Sequence, residues 1–192
     1  SYWFEVPDTR EGWAEAVEKI ETMAFEKKYK DDILIINFSK VRPKGSPIGG
    51  MQNRPASGPR PLIKSIQKLS TIKNAGLEPW KQTIFIDHYL SECVLVGGAR
   101  RAARIATKTW TDSGIFDFIS IKKGGFLWSA NNSVAVDEKF WKQKTKHSQK
   151  VLEEVLKASY YDRTGEPGFV NQHKLVQNDE EFDGYLDGKY AR

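Results

Sequence analysis

Gly97-Gly98-Ala99-Arg100-Arg101-Ala102-Ala103-Arg104 is the stretch around which this chain reads as organised. Paired glycines let a backbone take positive φ or approach a ligand closely. The adjacent arginines are five-donor forks that match a phosphate or a base edge. The apolar run 94–96 leads in and an extended stretch, 104–110, leads out. A flexible cationic loop between two rigid elements is where a nucleotide would be read. A glycine turn with solvated arginines has the same composition, so the rest of the chain must decide between them.

Composition narrows the classes. The chain has 192 residues, enough for one domain with a real core, and its 39% hydrophobic and 12% aromatic content excludes a disordered polymer. A net charge of +5 suits an anionic ligand but is too small and too dispersed to imply DNA or RNA. The aromatics do not cluster beside the lysines, as a single-strand platform requires, so no nucleic-acid partner is expected. No apolar run approaches the ~20 residues of a membrane span, and Ser1-Tyr2-Trp3-Phe4-Glu5 is no secretory signal. A single cysteine, Cys93, excludes an internal disulfide and a cysteine zinc site. The expectation is a soluble, cytoplasmic protein without a membrane partner. The chain starts with Ser rather than Met, which fits a piece of something longer.

On the N-terminal side of the loop, Pro79 opens a segment with Ile84, His88 and Ser91 on one face and Phe85, Tyr89 and Glu92 beside it. This predicts a helix running into Gly97. Cys93 lies on it, and a lone helical cysteine reads as packing. Pro61 suits a first helical turn; Leu62, Ile63, Ile66, Leu69 and Ile72 keep helical period, and Asn74-Ala75-Gly76 stops it. Residues 41–61 hold Pro43, Pro47, Pro55, Pro59 and Pro61 with Gly45, Gly49, Gly50 and Gly58, which predicts no regular structure. Arg42, Lys44, Arg54 and Arg60 make this segment basic, so it reads as a functional loop or, alternatively, a surface linker. Ile33-Leu34-Ile35-Ile36 reads as a strand buried on both faces. Asp8 is the expected N-cap of a first helix, with Glu11 completing a capping box. Trp13, Val17, Ile20 and Ala24 make its apolar face, and Lys27, Lys28 and Lys30 complement its C-terminus. A helix followed by a buried strand predicts an α/β sheet or barrel.

On the C-terminal side, Ile105, Thr107 and Thr109 alternate with smaller or polar residues, as in a strand. Asp112 is placed to cap a short helix holding Ile115, Phe116, Phe118 and Ile119. Residues 126–128 and 133–136 read as extended around Asn131-Asn132, and Asp137 as the cap of another turn. Residues 148–160 form a helix with Val151, Leu152, Val155 and Leu156 inward, and Gly165-Glu166-Pro167-Gly168-Phe169-Val170-Asn171 is a turn entering a short strand. Residues 172–192 are polar and acidic, a tail or a fragment end.

Overt chemistry is scarce. His88, His147 and His173 lack metal spacing, and there is no phosphate-loop Gly-Lys-Ser/Thr and no nucleophile elbow. The two basic glycine loops, 41–50 and 97–104, are the strongest features. Both offer backbone N–H groups and cations to a polyanion, which supports nucleotide binding without naming a reaction.

At these same residues the sequence resembles the large catalytic chain of ribonucleotide reductases. The likeness is strongest to the adenosylcobalamin-dependent class II enzymes of the monomeric ribonucleoside-triphosphate reductase type. Asp8-Thr9-Arg10-Glu11-Gly12-Trp13 is similar to the family's D-S-R-E-G-W helix start. Val41-Arg42-Pro43-Lys44-Gly45-Ser46-Pro47-Ile48 resembles its first specificity loop, followed by Ala56-Ser57-Gly58-Pro59 for A-S-G-P. Gly97-Gly98-Ala99-Arg100-Arg101-Ala102-Ala103 resembles the second loop, usually G-G-V-R-R. Asp117-Phe118-Ile119-Ser120-Ile121-Lys122, Trp128-Ser129-Ala130-Asn131-Asn132-Ser133-Val134-Ala135-Val136-Asp137 and Gly165-Glu166-Pro167-Gly168-Phe169-Val170-Asn171 complete the series in family order.

The resemblance implies an α/β fold, part of a ten-stranded α/β barrel. Residues 1–171 would be a central part with both specificity loops and 172–192 a tail. It implies a deoxynucleotide effector at Arg42, Lys44, Gly45, Ser46, Pro47 and Ile48. It implies a ribonucleotide substrate read by Gly97, Gly98, Ala99, Arg100 and Arg101. It further implies adenosylcobalamin, with its site outside this chain, and a thioredoxin-like reductant for the whole enzyme. The family's radical chemistry needs an N-P-C-G-E-like cysteine motif and a redox cysteine pair, and this sequence has neither. The expected role is therefore recognition, with catalytic cysteines supplied by other segments or chains of the same reductase. That fits a split, phage-like gene or an excised portion. No residue of this chain is expected to be catalytic or metal-binding. The alternative is a non-catalytic nucleotide-binding or regulatory protein that retains the loops.

Overall fold

A computed structural model describes residues 1–171 apart from positions 74, 97, 98, 101, 103, 162 and 164. It is mixed α/β and divides into two compact units, Ser1–Arg104 and Ile105–Arg192. In the first, strand β1 (Tyr2–Glu5) leads into helix α1 (Arg10–Phe25) and returns as strand β2 (Leu34–Asn37). β1 and β2 pair in parallel, with Tyr2 opposite Leu34 and Glu5 opposite Asn37. A helical crossover is what a parallel pair needs. A short antiparallel pair follows, β3 (Pro47–Ile48) with β4 (Arg54–Pro55). Then come helix α2 (Arg60–Lys73), helix α3 (Pro79–Cys93), and a second antiparallel pair, β5 (Leu95–Val96) with β6 (Ala99–Arg100). Val6, Ala16, Val41, Leu62 and Cys93 form the buried core of this unit, with Phe4, Trp13, Val17, Ile36, Phe38 and Ile66 packed against it.

In the second unit, strand β7 (Arg104–Thr109), helix α4 (Ile115–Ser120), strand β8 (Ala130–Val136), helices α5 (Glu138–Gln143) and α6 (Lys146–Tyr161), and strand β9 (Gly168–Asn171) follow in order. The strands form one sheet in the order β7-β8-β9, and β8 and β9 are parallel, Ser133 opposite Gly168 and Val136 opposite Asn171. Ile115, Phe118, Leu127, Val134, Val136, Phe140, Val151 and Val155 are buried. Asp137 caps α5 as its spacing predicts, its Oδ1 accepting the Phe140 N–H at 2.9 Å.

Several local expectations change. The α1 cap is Thr9, in extended geometry, whose Oγ1 accepts the Gly12 N–H at 2.9 Å; the Asp8 carboxylate is engaged elsewhere. The strand at 33–36 is shifted to Leu34–Asn37 and is not buried on both faces, since Ile33 and Ile35 are exposed. The apolar run fixes which residues prefer burial, not what covers them. Helix α3 stops at Cys93 and the chain turns extended at Leu95 instead of reaching Gly97 as helix. Residues 126–128 are a turn, with buried Leu127 at φ 60, and Leu156 faces outward. Asp112 accepts the Gly114 N–H, holding the turn before α4 rather than its first helical residues. The Pro/Gly-dense segment 41–61 contains an ordered hairpin instead of irregular chain.

Gly12 is closely enclosed. A Cβ there would lie 2.7 Å from both Cδ and the carbonyl oxygen of Pro7. Helix propensity favours alanine by about 1 kcal/mol, but an overlap with backbone costs about 1–3 kcal/mol. Gly12→Ala is therefore expected to lower the urea midpoint, whereas Gly50→Ala, with nothing within 4 Å of its Cβ, leaves it in place.

Candidate nucleotide-binding loops

The first loop is built on a turn and a ladder. Ser46 donates its N–H to the Pro43 carbonyl at 3.2 Å, closing a four-residue turn with Gly45 at φ 94. That third position needs positive φ in a type II turn, which glycine adopts without cost. The Gly45 N–H then bonds the Ala56 carbonyl at 2.9 Å and the Ala56 N–H bonds the Ser46 carbonyl at 2.8 Å. These bonds extend the β3–β4 pairing down to the base of the loop. Gly58, at φ 74, lies so close that a Cβ on it would sit 2.8 Å from the Lys44 nitrogen. At the tip, Gln52 and Asn53 are both left-handed.

The cations of this segment differ in their surroundings. Arg42 donates from Nε to Asp8 Oδ2 at 2.7 Å and from Nη1 to the Pro47 carbonyl at 3.3 Å. Lys44, Arg54 and Arg60 are exposed, and none of them forms an ion pair among the described residues. Ser46 and Ile48 are half-buried beside them, and Pro47 is exposed.

The second loop is a hairpin as well. Leu95 pairs with Arg100 and Val96 with Ala99, so its connection is the pair Gly97-Gly98. Two-residue hairpin connections favour glycine. Gly97, Gly98 and Arg101 lie outside the described residues, and Arg100 is described by its backbone. Arg104, just beyond, reaches Asp87 on α3 at 3.5 Å.

Of the remaining chemistry-bearing side chains, Cys93 and His88 are buried and His147 is exposed. Cys93 is buried and its Sγ donates to the Leu90 carbonyl at 3.0 Å. Burial pushes the thiol up from its ordinary value, outweighing the opposite pull of Ser65 and Arg104. His88 is buried on α3, with Nε2 at 3.8 Å from Glu92. His147 Nε2 lies 2.9 Å from the Trp110 carbonyl. His173 falls outside the described residues.

Two networks escaped the sequence reading. The Asp8–Arg42 pair joins residues 34 positions apart, and its only local signal is that Asp8 stands next to a better cap. In the second unit Lys122 Nζ donates to Glu166 Oε2 at 2.6 Å and to the Ala130 carbonyl, and the same carboxylate oxygen accepts the Asn132 N–H at 3.0 Å. The Asn132 carboxamide is buried, with no hydrogen-bond partner for either polar atom among the described residues.

Comparison with known proteins gives a consistent answer. The family model described as the insertion domain of B12-dependent ribonucleotide reductase matches residues 1–73. A protein of Mycobacterium phage D29, provisionally named an adenosylcobalamin-dependent ribonucleoside-triphosphate reductase, is 36% identical over 160 residues, 72% of this chain and 22% of the relative. The adenosylcobalamin-dependent ribonucleoside-triphosphate reductase of Lactobacillus leichmannii is 31% identical over 98% of this chain and 25% of its own length. That of Lactobacillus acidophilus is 29% identical over 97% of the chain and 24% of its own length. The chain thus spans about a quarter of the length of the curated relatives it matches.

The Cys93 surroundings set an expectation for its reactivity. The thiolate is the reactive form, and a raised thiol forms it only above the ordinary pH range. The native chain should therefore react slowly with a thiol reagent at pH 8 and rapidly once unfolded in urea. Cys93→Ala should cost about 1–3 kcal/mol and leave nucleotide binding unchanged.

Proposed function

The chain is a relative of the adenosylcobalamin-dependent ribonucleotide reductases along nearly its whole length, and we propose that it is the segment of such an enzyme that recognises substrate and effector. In this reading residues 1–171 are a central part of a ten-stranded α/β barrel, 172–192 a polar tail, and the assembled cytoplasmic enzyme reduces ribonucleotides to deoxyribonucleotides. The first loop, Arg42, Lys44, Gly45, Ser46, Pro47 and Ile48, forms the effector side. The second, Gly97, Gly98, Ala99, Arg100 and Arg101, reads the substrate. Other segments supply the catalytic cysteines, and a thioredoxin-like protein supplies electrons.

The observation that carries this reading is the first loop itself. It is a hairpin with a fixed base that presents the exposed cations Lys44 and Arg54, neither ion-paired among the described residues, where a linker would be irregular. An ordered cationic turn with backbone N–H groups is matched to phosphate oxygens. The one thiol is sealed from solvent, which supports recognition rather than radical chemistry for this segment.

In this reading the adenosylcobalamin of the relatives' names sits outside this chain, and the thiol and imidazoles described here are engaged within the protein. Cys93 is buried and hydrogen-bonded, His88 is buried, and His147 is held to a carbonyl. No step in this reading runs through adenosylcobalamin on this chain.

The test uses the assembled enzyme. A charge-assisted hydrogen bond from arginine contributes about 1.5–3 kcal/mol, which is about ten- to a hundredfold in affinity. Arg100→Ala is expected to weaken substrate binding by that factor and to blunt the effector's influence on which base is chosen. Lys44→Ala is expected to weaken effector binding while substrate affinity without effector stays nearly intact. Wild-type behaviour in Arg100→Ala, Arg101→Ala and Lys44→Ala alike would end the assignment. The 192-residue chain alone should form no deoxynucleotide from a ribonucleoside triphosphate, adenosylcobalamin and a dithiol.

A further inference from the structure

We propose that Arg42 is a positioning residue: it holds the first loop to the N-terminal turn of α1 through Asp8, and nucleotide phosphate is met by Lys44 and Arg54 instead. The inference rests on the effector reading of the first loop and assigns its cations different tasks.

The geometry of the guanidinium carries the argument. Its Nε faces the Asp8 carboxylate at 2.7 Å, so the edge that would grip a phosphate side-on already holds an anion. Its Nη1 reaches the other way, to the Pro47 carbonyl at 3.3 Å. One planar group therefore ties the entry of α1 to the first residue of β3. A carboxylate at this distance cancels most of the charge that a phosphate would be attracted to. Lys44 and Arg54 carry no such carboxylate among the described residues.

Both ends of the tie are stiff. Asp8 follows Val6, fully buried with its N–H on the Asn37 carbonyl, and Pro7, which lies against Gly12. Arg42 follows Val41, buried in the same core cluster with its N–H on the Phe38 carbonyl. Asp8 and Arg42 are themselves 32% and 37% exposed, and an ion pair in that setting adds little to global stability. Its effect falls on where the loop is held. A loop that spends less time in its binding-competent position binds with an affinity reduced by that fraction.

The two roles for Arg42 predict opposite results for one substitution. Asp8→Asn leaves every cation of the loop in place. If Arg42 positions, Asp8→Asn weakens binding of the four deoxynucleoside triphosphates, titrated one at a time into the full chain, by about three- to tenfold. Arg42→Lys, which keeps the charge but loses the two-way fork, does the same, and Asp8→Glu recovers part of the loss. Amide hydrogen exchange reports the tie without any ligand: Asp8→Asn is expected to speed exchange at Gly45 and Ala56 with the melting temperature nearly unchanged. Tighter or unchanged binding in Asp8→Asn overturns the proposal, because Arg42 would then be a phosphate ligand released from a competitor. Unchanged exchange at Gly45 and Ala56 overturns it as well. A wild-type chain that binds none of the four nucleotides brings down the effector reading itself, and exchange still decides whether the tie holds the loop.

Discussion

Val6 and Val41 are buried against one another's neighbours in a single small core, and the first unit hangs from that shared burial. Val6 follows β1 and Val41 follows β2, so the parallel pair is closed at one end by side chains rather than by more strands. Fully burying a valine contributes about 1.5–3 kcal/mol, more than any exposed ion pair nearby can. The apolar residues therefore set where the chain goes, and the polar ones tune what leaves the core. Ala16 and the missing side chain of Gly12 let α1 lie close over this point. The α1 entry and the first loop consequently emerge side by side.

The second unit is held together differently. Its β8–β9 pairing is reinforced by one carboxylate, Glu166, that receives both a lysine and a backbone N–H. Lys122 and Glu166 are only 12% and 20% exposed. A pair so enclosed is costly to break, since the survivor is left charged and unpartnered. The neighbouring Asn132 carboxamide is also buried, without a hydrogen-bond partner among the described residues. Trp110 links the far end: its indole N–H reaches Asp137, which also caps α5.

Much of this was legible in the sequence where the signal was local. Helical period placed α2, α3 and α6, the Asp137 cap placed α5, alternation placed β7, and the Gly165–Asn171 run contains β9. What failed depended on partners distant in sequence. Asp8 looks like a cap until Arg42, 34 residues later, takes its carboxylate. Ile33, Ile35 and Ile105 look like core, and periodicity carries no information on whether anything lies over them. Proline and glycine punctuation in 41–61 forbids long elements, whereas β3 and β4 are two residues each. The loops themselves were found by composition, but their hairpin form was not. In the first loop that form comes from pairings set by Gly45 and Gly58, whose conformations the sequence only permits.

The contact between Gly58 and the Lys44 backbone has an evolutionary corollary. The base of the first loop is fixed by three backbone hydrogen bonds and by a close approach that only glycine allows. The tip, from Gly49 to Asn53, takes no part in that base. Insertions and deletions can therefore accumulate at the tip without moving Lys44 or Gly45. The same separation makes the tip a natural graft point, where a fluorophore or a foreign peptide could be carried on an undisturbed stem.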